Sequence, residues 1–399
     1  MRTLFKQIDS FLIENQHFWR FEPFHQSIVP GSPWHSFNEP LGQWLSSLSF
    51  SQIEALKLSP NELVIHLSEF IEGLEQVHAS LQLRPARRSH RLIRDSHLET
   101  GIPGRKLQQI RSMSAALLYQ HQGTEWLEWC SGKGFLGRIL AAQSKQKVTS
   151  FEYQMPLCEA GQTIADAFAL PMQFIQGDAF QPEALCAFHP AQHAVALHAC
   201  GDLHVRLLEY SVAKKLPAIS FSPCCYHLIQ AALYQAMSSE GQASSLALSQ
   251  SELRIPLQET VTGGERVRRH RQQEMTYRLG FDLFLRLELG YQNYCPVPSI
   301  KKSQLADGFR NFCQWACTQK SIEFPADVDL KHYEEKGTDR FWQMERLSLV
   351  QQAFRRIIEL WLVLDKAIYL QENGYKVTIE QFCEREITPR NILVHAFKR

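Results

Sequence analysis

The stretch Glu125-Trp-Leu-Glu-Trp-Cys-Ser-Gly-Lys-Gly-Phe-Leu-Gly-Arg-Ile-Leu140 decides the fold. Trp126, Leu127 and Trp129 form a short apolar run that reads as a buried strand. Small residues follow from Cys130 to Gly134, and Phe135, Leu136, Ile139 and Leu140 then recur at helical spacing. Strand, glycine loop and helix together hold an adenosine-containing cofactor at the carboxyl edge of a parallel sheet. Gly132 and Gly134 can take positive φ and carry no Cβ, so the backbone can close on a ligand.

The spacing of Gly132, Gly134 and Gly137 also fits the dinucleotide fingerprint, which alone is a weak signal. The acids around it point to S-adenosylmethionine. Glu128 lies inside the strand, where a carboxylate can reach the amino end of a methionine moiety but would repel a pyrophosphate. A second strand, Lys147-Val-Thr-Ser-Phe-Glu152, ends in an acid able to accept hydrogen bonds from both ribose hydroxyls. A third, Met172-Gln-Phe-Ile-Gln176, runs into Gly177 and Asp178, placed to hold an adenine amino group. A fourth, His193 to His198, leads into Ala199-Cys-Gly-Asp202. A fifth, Ala218 to Phe221, leads into Ser222-Pro-Cys-Cys-Tyr-His227. Helical stretches separate these strands at about 155–169, 180–188 and 203–214. The expected cofactor-binding set is Glu128, Cys130, Ser131, Gly132, Lys133, Gly134, Glu152, Tyr153, Asp178, Ala179, His198 and Ala199.

These segments resemble the class I S-adenosylmethionine-dependent methyltransferases. More narrowly, Glu128-Trp-Cys-Ser-Gly-Lys-Gly134, Leu197-His-Ala-Cys-Gly-Asp-Leu203 and Cys224-Cys-Tyr-His227 are similar to the motifs of a group whose eukaryotic relatives are called ribosomal RNA adenine dimethylase domain-containing. The tRNA 2′-O-methyltransferases look like more distant kin. Cys130 stands where the group has its first glycine, a departure that bears on how the loop approaches the cofactor. The resemblance covers about 101–235 and 375–399, and its motifs are specific as a set rather than singly. It implies an α/β fold, a Rossmann-like seven-stranded class I methyltransferase sheet with a helical N-terminal module and a helical insertion. Residues 1–100 form the N-terminal module and 101–235 the first five strands. Residues 236–373 form the insertion, and 374–399 the final two strands, Tyr375 to Ile379 and Asn391 to Phe397. The last of these closes the sheet antiparallel to its neighbours.

Composition excludes several other classes. At 44% hydrophobic and 21% charged residues the 399-residue chain is an ordinary globular protein long enough for more than one module. No apolar run approaches the ~20 residues of a membrane span. The N-terminal segment lacks the apolar core of a signal peptide, and ten cysteines suit a reducing compartment. The expected location is cytoplasmic, with no membrane partner. Helical periodicity at 42–56 and 61–83 fills the N-terminal module, with Pro60 at a helix start. A Ser/Gln-rich loop at 238–251 closes a helix after the fifth strand. The insertion is most strongly periodic at 265–290 and 340–372.

The candidate catalytic residues are Asp202, His227, Cys224, Cys225 and Tyr226, all after strand ends on the carboxyl edge. Asp202 is either a general base or a helix cap. Tyr226 is read as a platform for a base, with His227 as acid or base. Cys224 and Cys225 are either nucleophiles towards a pyrimidine or packing residues. A metal site with Cys200 is disfavoured, because adjacent cysteines chelate one ion poorly, and none is expected. Lys133 is either a contact to an anion or a solvated lysine. Cys313 and Cys317, at helical spacing, are read as core cysteines.

Net charge is +1, but arginine is locally dense. One cluster holds Arg84, Arg87, Arg88, Arg91 and Arg94 with His90 and His97. The other holds Arg266, Arg268, Arg269, His270 and Arg271. Guanidinium groups meet phosphates well, so RNA is the expected partner and tRNA or rRNA the expected substrate. The opposing view is that the arginines pair with Asp95, Glu99, Glu265 and Glu274. The alternative functions are a protein methyltransferase and a cofactor-binding RNA-binding or assembly protein without turnover. An NAD-dependent reductase is the remaining alternative.

Overall fold

A computed structural model describes the chain except for residues 30, 90, 91, 93–97, 259–263, 326 and 399. It is a mixed α/β protein around one seven-stranded sheet. The strands are β1 (Glu125–Trp129), β2 (Val148–Glu152), β3 (Met172–Gln176), β4 (Gln192–Cys200), β5 (Ala218–Cys224), β6 (Tyr375–Gln381) and β7 (Ile392–Lys398). Their order is β3-β2-β1-β4-β5-β7-β6. The first five are parallel, and β7 runs antiparallel between β5 and β6. The Rossmann-like fold read from the sequence is the fold observed. β1, β2 and β5 are buried almost throughout, as strands covered on both faces must be.

The chain divides into two compact units. The first holds Met1–Glu14, Gln76–Glu259 and Arg355–Arg399, and so contains the whole sheet. Its core places Trp126, Val148, Val195 and Leu393 of the sheet against Met113, Leu136 and Leu140 of the helices Gly104–Tyr119 and Phe135–Ser144. The second unit is Asn15–Glu75 and Thr260–Phe354. Its aromatic core gathers Phe281 and Phe284 from the helix Glu265–Leu289, Phe309 and Phe312 from Phe309–Lys320, and Tyr333. Cys313 and Cys317 are buried in that core. The division cuts across the modules drawn from the sequence. Periodicity shows that a helix has an apolar face, not which core that face joins.

Several local readings need correction. The periodic stretch 42–56 is two helices, Glu39–Ser47 and Phe50–Leu58, because Ser49 forms a capping box with Gln52 and restarts the helix. The stretch 61–83 is likewise two, Pro60–Ser68 and Leu74–Ser80. Residues 182–187 form a 3-10 helix rather than an α-helix. No helix follows β5 before Ser239. That segment is held instead by the buried Asp365, whose carboxylate accepts the Ser238 amide (2.9 Å), the Met237 amide (3.0 Å) and the Tyr234 hydroxyl (2.7 Å). Asp365 lies on the helix Leu330–Glu372, within the part that belongs to the first unit. No helix among the described residues is long and apolar enough to cross a membrane.

A buried polar chain crosses the sheet. His121 Nδ1 lies 3.1 Å from His193 Nδ1, His193 Nε2 lies 2.8 Å from Ser220 Oγ, and Ser220 Oγ lies 2.6 Å from His395 Nδ1. Burial lowers the pKa of all three rings, that of His395 to about 4. As pH falls below 6.5 the unfolded chain therefore takes up protons that the folded chain refuses, and stability drops until the folded pKa is reached. For His395 the shift corresponds to about 3 kcal/mol. His395→Gln should flatten the fall in thermal midpoint between pH 6.5 and 4. Parallel melting curves for variant and parent would exclude this account.

Candidate active site

The loop after β1 begins with three left-handed turns. Cys130 stands at φ 54°, Gly132 at 58° and Gly134 at 68°. The left-handed step is kept at Cys130 although a side chain is disfavoured there by roughly 1–2 kcal/mol. At Gly132 a Cβ would meet nothing within 4 Å, so the space beside the loop is open. The Ser131 hydroxyl is buried and has no hydrogen-bond partner among the described residues. An orphaned buried hydroxyl beside open space is what a ligand-binding loop leaves for its ligand.

Glu152, at the end of β2, is tied into the same loop. One carboxylate oxygen accepts the Gly132 amide at 2.9 Å and the other accepts the Gln154 amide at 3.0 Å. A carboxylate has about four acceptor positions, so two remain for a pair of ribose hydroxyls. After β3, Asp178 accepts the Phe180 amide at 2.9 Å, which orients it, and Ala179 is buried. Tyr153 is 65% exposed and Lys133 is also exposed, so both are free to meet a ligand or solvent. His198 lies in β4, and its side chain falls outside the described residues. Ala199 beside it is buried.

Glu128 is buried beneath the loop. Its carboxylate accepts the Ser150 hydroxyl at 3.0 Å and faces the backbone amides of Leu136 and Gly137. A Cβ on Gly137 would lie 2.4 Å from its Oε2, so only glycine allows the approach. The contact with a ligand amino group read from the sequence is thus replaced by bracing of the loop from below. Burial raises the Glu128 pKa to about 7.

The ends of β4 and β5 meet at Gly201. A Cβ there would fall 1.8 Å from the Leu228 carbonyl oxygen. The Asp202 amide donates to the same oxygen at 3.1 Å, and the Asp202 carboxylate accepts the Gln230 amide at 2.8 Å. Asp202 is the first residue of the helix Asp202–Ala213, and Gly201 occupies the cap position. Asp202 therefore clamps the loop after β5 to the end of β4 and is not the cap. His227 rides on the clamped loop. Its Nδ1 is buried without a partner among the described residues, and burial followed by nearby Arg254 lowers its pKa. Tyr226 is 3% exposed and its hydroxyl donates to Glu359 at 3.4 Å. That burial leaves no ring face for a base, which corrects the platform reading. Cys224 is buried beside Cys200, while Cys225 is partly accessible. The hydrogen bond from Cys224 lowers the Cys225 thiol, and the same contacts raise Cys224. A cavity of about 300 Å³ lined by Phe5, Asp9 and Glu240 shares no residue with these loops.

Sheet, loop and acids define a Rossmann-like site with the geometry that holds an adenosine-containing cofactor. Residues 105–232 match the model of a family described as a methyltransferase domain. No curated protein matches the chain. Among solved structures it is similar to the tRNA (uracil-54, C5)-methyltransferase of Pyrococcus abyssi bound to S-adenosyl-L-homocysteine, at 19% identity and TM-score 0.25. That match covers 30% of this chain and 29% of the other, so the chain spans under a third of that enzyme's length. The geranyl diphosphate C-methyltransferase of Streptomyces coelicolor A3(2) matches at 12% identity and TM-score 0.23, over 49% and 67% of the two chains. The plantazolicin methyltransferase BpumL matches at 9% identity and TM-score 0.28, over 88% and 98%.

The sequence reading missed Ser150, which helps place Glu128, and Asp365, which orders the loop after β5, and it took Gly137 only as part of a glycine spacing and not as the room for Glu128. Asp365 had a signal: it stands with Lys366 inside the otherwise apolar run 360–370. Two outcomes test the site. S-adenosylhomocysteine at 100 times its Kd should stabilise the protein by about 2.7 kcal/mol, and Glu152→Ala should shrink the rise in thermal midpoint. An equal rise in parent and variant would remove Glu152 from the site. For Glu128, a folded pKa above the unfolded one means the folded state is favoured at low pH, and that advantage is lost as pH rises from 4.5 to about 7. Glu128→Gln should therefore gain up to about 3 kcal/mol on the parent between pH 5 and pH 8. Melts at the two pH values check it, and a constant offset would refute it.

Proposed function

We propose that the protein methylates RNA. The observation that carries this reading is the state of the arginines. Among the described residues Arg84, Arg87, Arg266, Arg268 and Arg269 make no ion pair. Two of the acids that could have neutralised them are engaged elsewhere: Glu99 with Arg111 at 2.7 Å and Glu274 with Arg278 at 2.8 Å. Arg271 does pair, with Glu345 at 2.9 Å. Arg88 donates to the Phe382 carbonyl at 3.0 Å, and backbone bonds of Arg84 and Ala86 to Gln381 hold this segment on the edge strand β6. Arg91, Arg94, His90, His97 and Asp95 lie outside the described residues. Unpaired guanidinium groups on an anchored backbone suit a phosphate backbone.

Bound S-adenosylmethionine supplies a methyl group activated for displacement. Ser131, the loop backbone, Glu152 and Asp178 would hold it. The protein must then bring a nucleophile into line and accept its proton where one is lost. His227 is suited to this: its lowered pKa keeps the ring neutral near pH 7, with a nitrogen able to take a proton. Asp202 acts through the loop it clamps, by fixing where His227 stands.

RNA transcripts should bind with an affinity that falls steeply with salt. Arg84→Glu with Arg87→Glu, and separately Arg266→Glu with Arg269→Glu, should each weaken binding. Each pair should also flatten the slope of log K against log salt, by about one for every phosphate no longer neutralised. Salt-independent binding would favour a protein substrate. In methyl-transfer assays with RNA, His227→Ala should cost about 100-fold or more in turnover and leave cofactor affinity unchanged. Unaltered turnover would exclude His227 as proton acceptor.

A further inference from the structure

Three sulfurs converge where β4 and β5 end. Cys200 closes β4 and pairs in register with Cys224, which closes β5, and Cys225 follows at once. The three Sγ atoms lie within 4.8 Å of one another, and Cys200 Sγ is 3.2 Å from Cys224 Sγ. Two neighbours on a regular strand point to opposite faces, which is why adjacent cysteines ordinarily make poor partners for one ion. Here two irregularities overcome that geometry. Cys225 adopts φ 45°, a left-handed conformation that turns its side chain back towards its neighbour. The register of β4 on β5 shifts between Leu197 and Cys200, and such a bulge re-aims the residue beyond it.

We propose that Cys200, Cys224 and Cys225 form a three-thiolate site for a single thiophilic metal ion of the Zn²⁺ class. Metal–sulfur bonds of about 2.3 Å in a tetrahedral arrangement set sulfurs about 3.8 Å apart, so the ion fits after a small opening of the Cys200–Cys224 contact. Binding forms three metal–sulfur bonds and releases the thiol protons to solvent, with no change of oxidation state. Three protein ligands leave the fourth position to water or to a donor atom of a substrate, the pattern of catalytic rather than structural zinc. The site lies beside the Gly201 turn, on the edge where this sheet type binds ligands. It does not depend on the substrate being RNA.

The test uses the full chain, reduced and stripped with a chelator, then titrated with Co²⁺ as the spectroscopic probe. One equivalent should bind with intense thiolate-to-cobalt charge-transfer absorption, and Zn²⁺ should displace it. Cys200→Ser and Cys225→Ser should each lower the affinity by at least about tenfold, the loss that even changes to groups merely supporting a ligand give. Cys186→Ser, at an exposed cysteine outside the cluster, should not. On the unmutated chain, Zn²⁺ should protect Cys200 and Cys225, the two partly accessible members, from iodoacetamide, as read by peptide mass spectrometry. Cobalt absorption without a thiolate band, or equal alkylation with and without Zn²⁺, would overturn the proposal. So would a Cys200–Cys224 disulfide formed by glutathione disulfide equally fast in Zn²⁺-treated protein.

Discussion

A carboxylate buried under the start of a helix holds this site together. The helix Phe135–Ser144 begins at Gly134, which has no side chain to cap it. Its first amides still need acceptors. Glu128 reaches them from the strand below, and the absence of a side chain on Gly137 makes room. When ionised, this carboxylate also lies at the positive end of the helix. Strand, loop and helix are thereby locked into one turn, and the turn can keep its small residues for the ligand. Glu152 completes the loop from the neighbouring strand by holding the Gly132 amide.

The second half of the site is built by a different device. Gly201 permits the loop after β5 to press on the end of β4, and Asp202 secures the contact. Farther out, Asp365 orders the next stretch of the same loop through Tyr234, Met237 and Ser238. A segment without regular secondary structure is thus fixed at both ends by buried or half-buried carboxylates. His227 stands immediately before the first of those anchors.

The sheet was legible because parallel strands covered on both faces leave short apolar runs with turn residues after them. Glu128, Glu152 and Asp178 were legible for the same reason, since each breaks or ends such a run. What was not legible depended on contacts distant in sequence. Tyr226 sits among pocket residues in the sequence, yet its hydroxyl is directed to Glu359, more than a hundred residues away. The missing helix after β5 reflects Asp365, equally remote. The split at Ser49 was local and could have been read from Ser49 and Gln52 alone.

The His121–His193–Ser220–His395 chain has a consequence for proton order. Ser220 has one hydroxyl proton, so it can donate to only one of its two histidine neighbours and must accept from the other. If His193 Nε2 donates to Ser220, then Ser220 donates to His395 Nδ1 and His193 Nδ1 is left to accept from His121. Reversing any one link reverses all three. The sheet interior therefore admits two complete directions of donation and no mixed one. The tautomers of three rings on separate segments are set by a single choice. A proton added to an accepting nitrogen within the chain would place two donors face to face unless the links beyond it reversed, so that ring cannot change state without the others registering it.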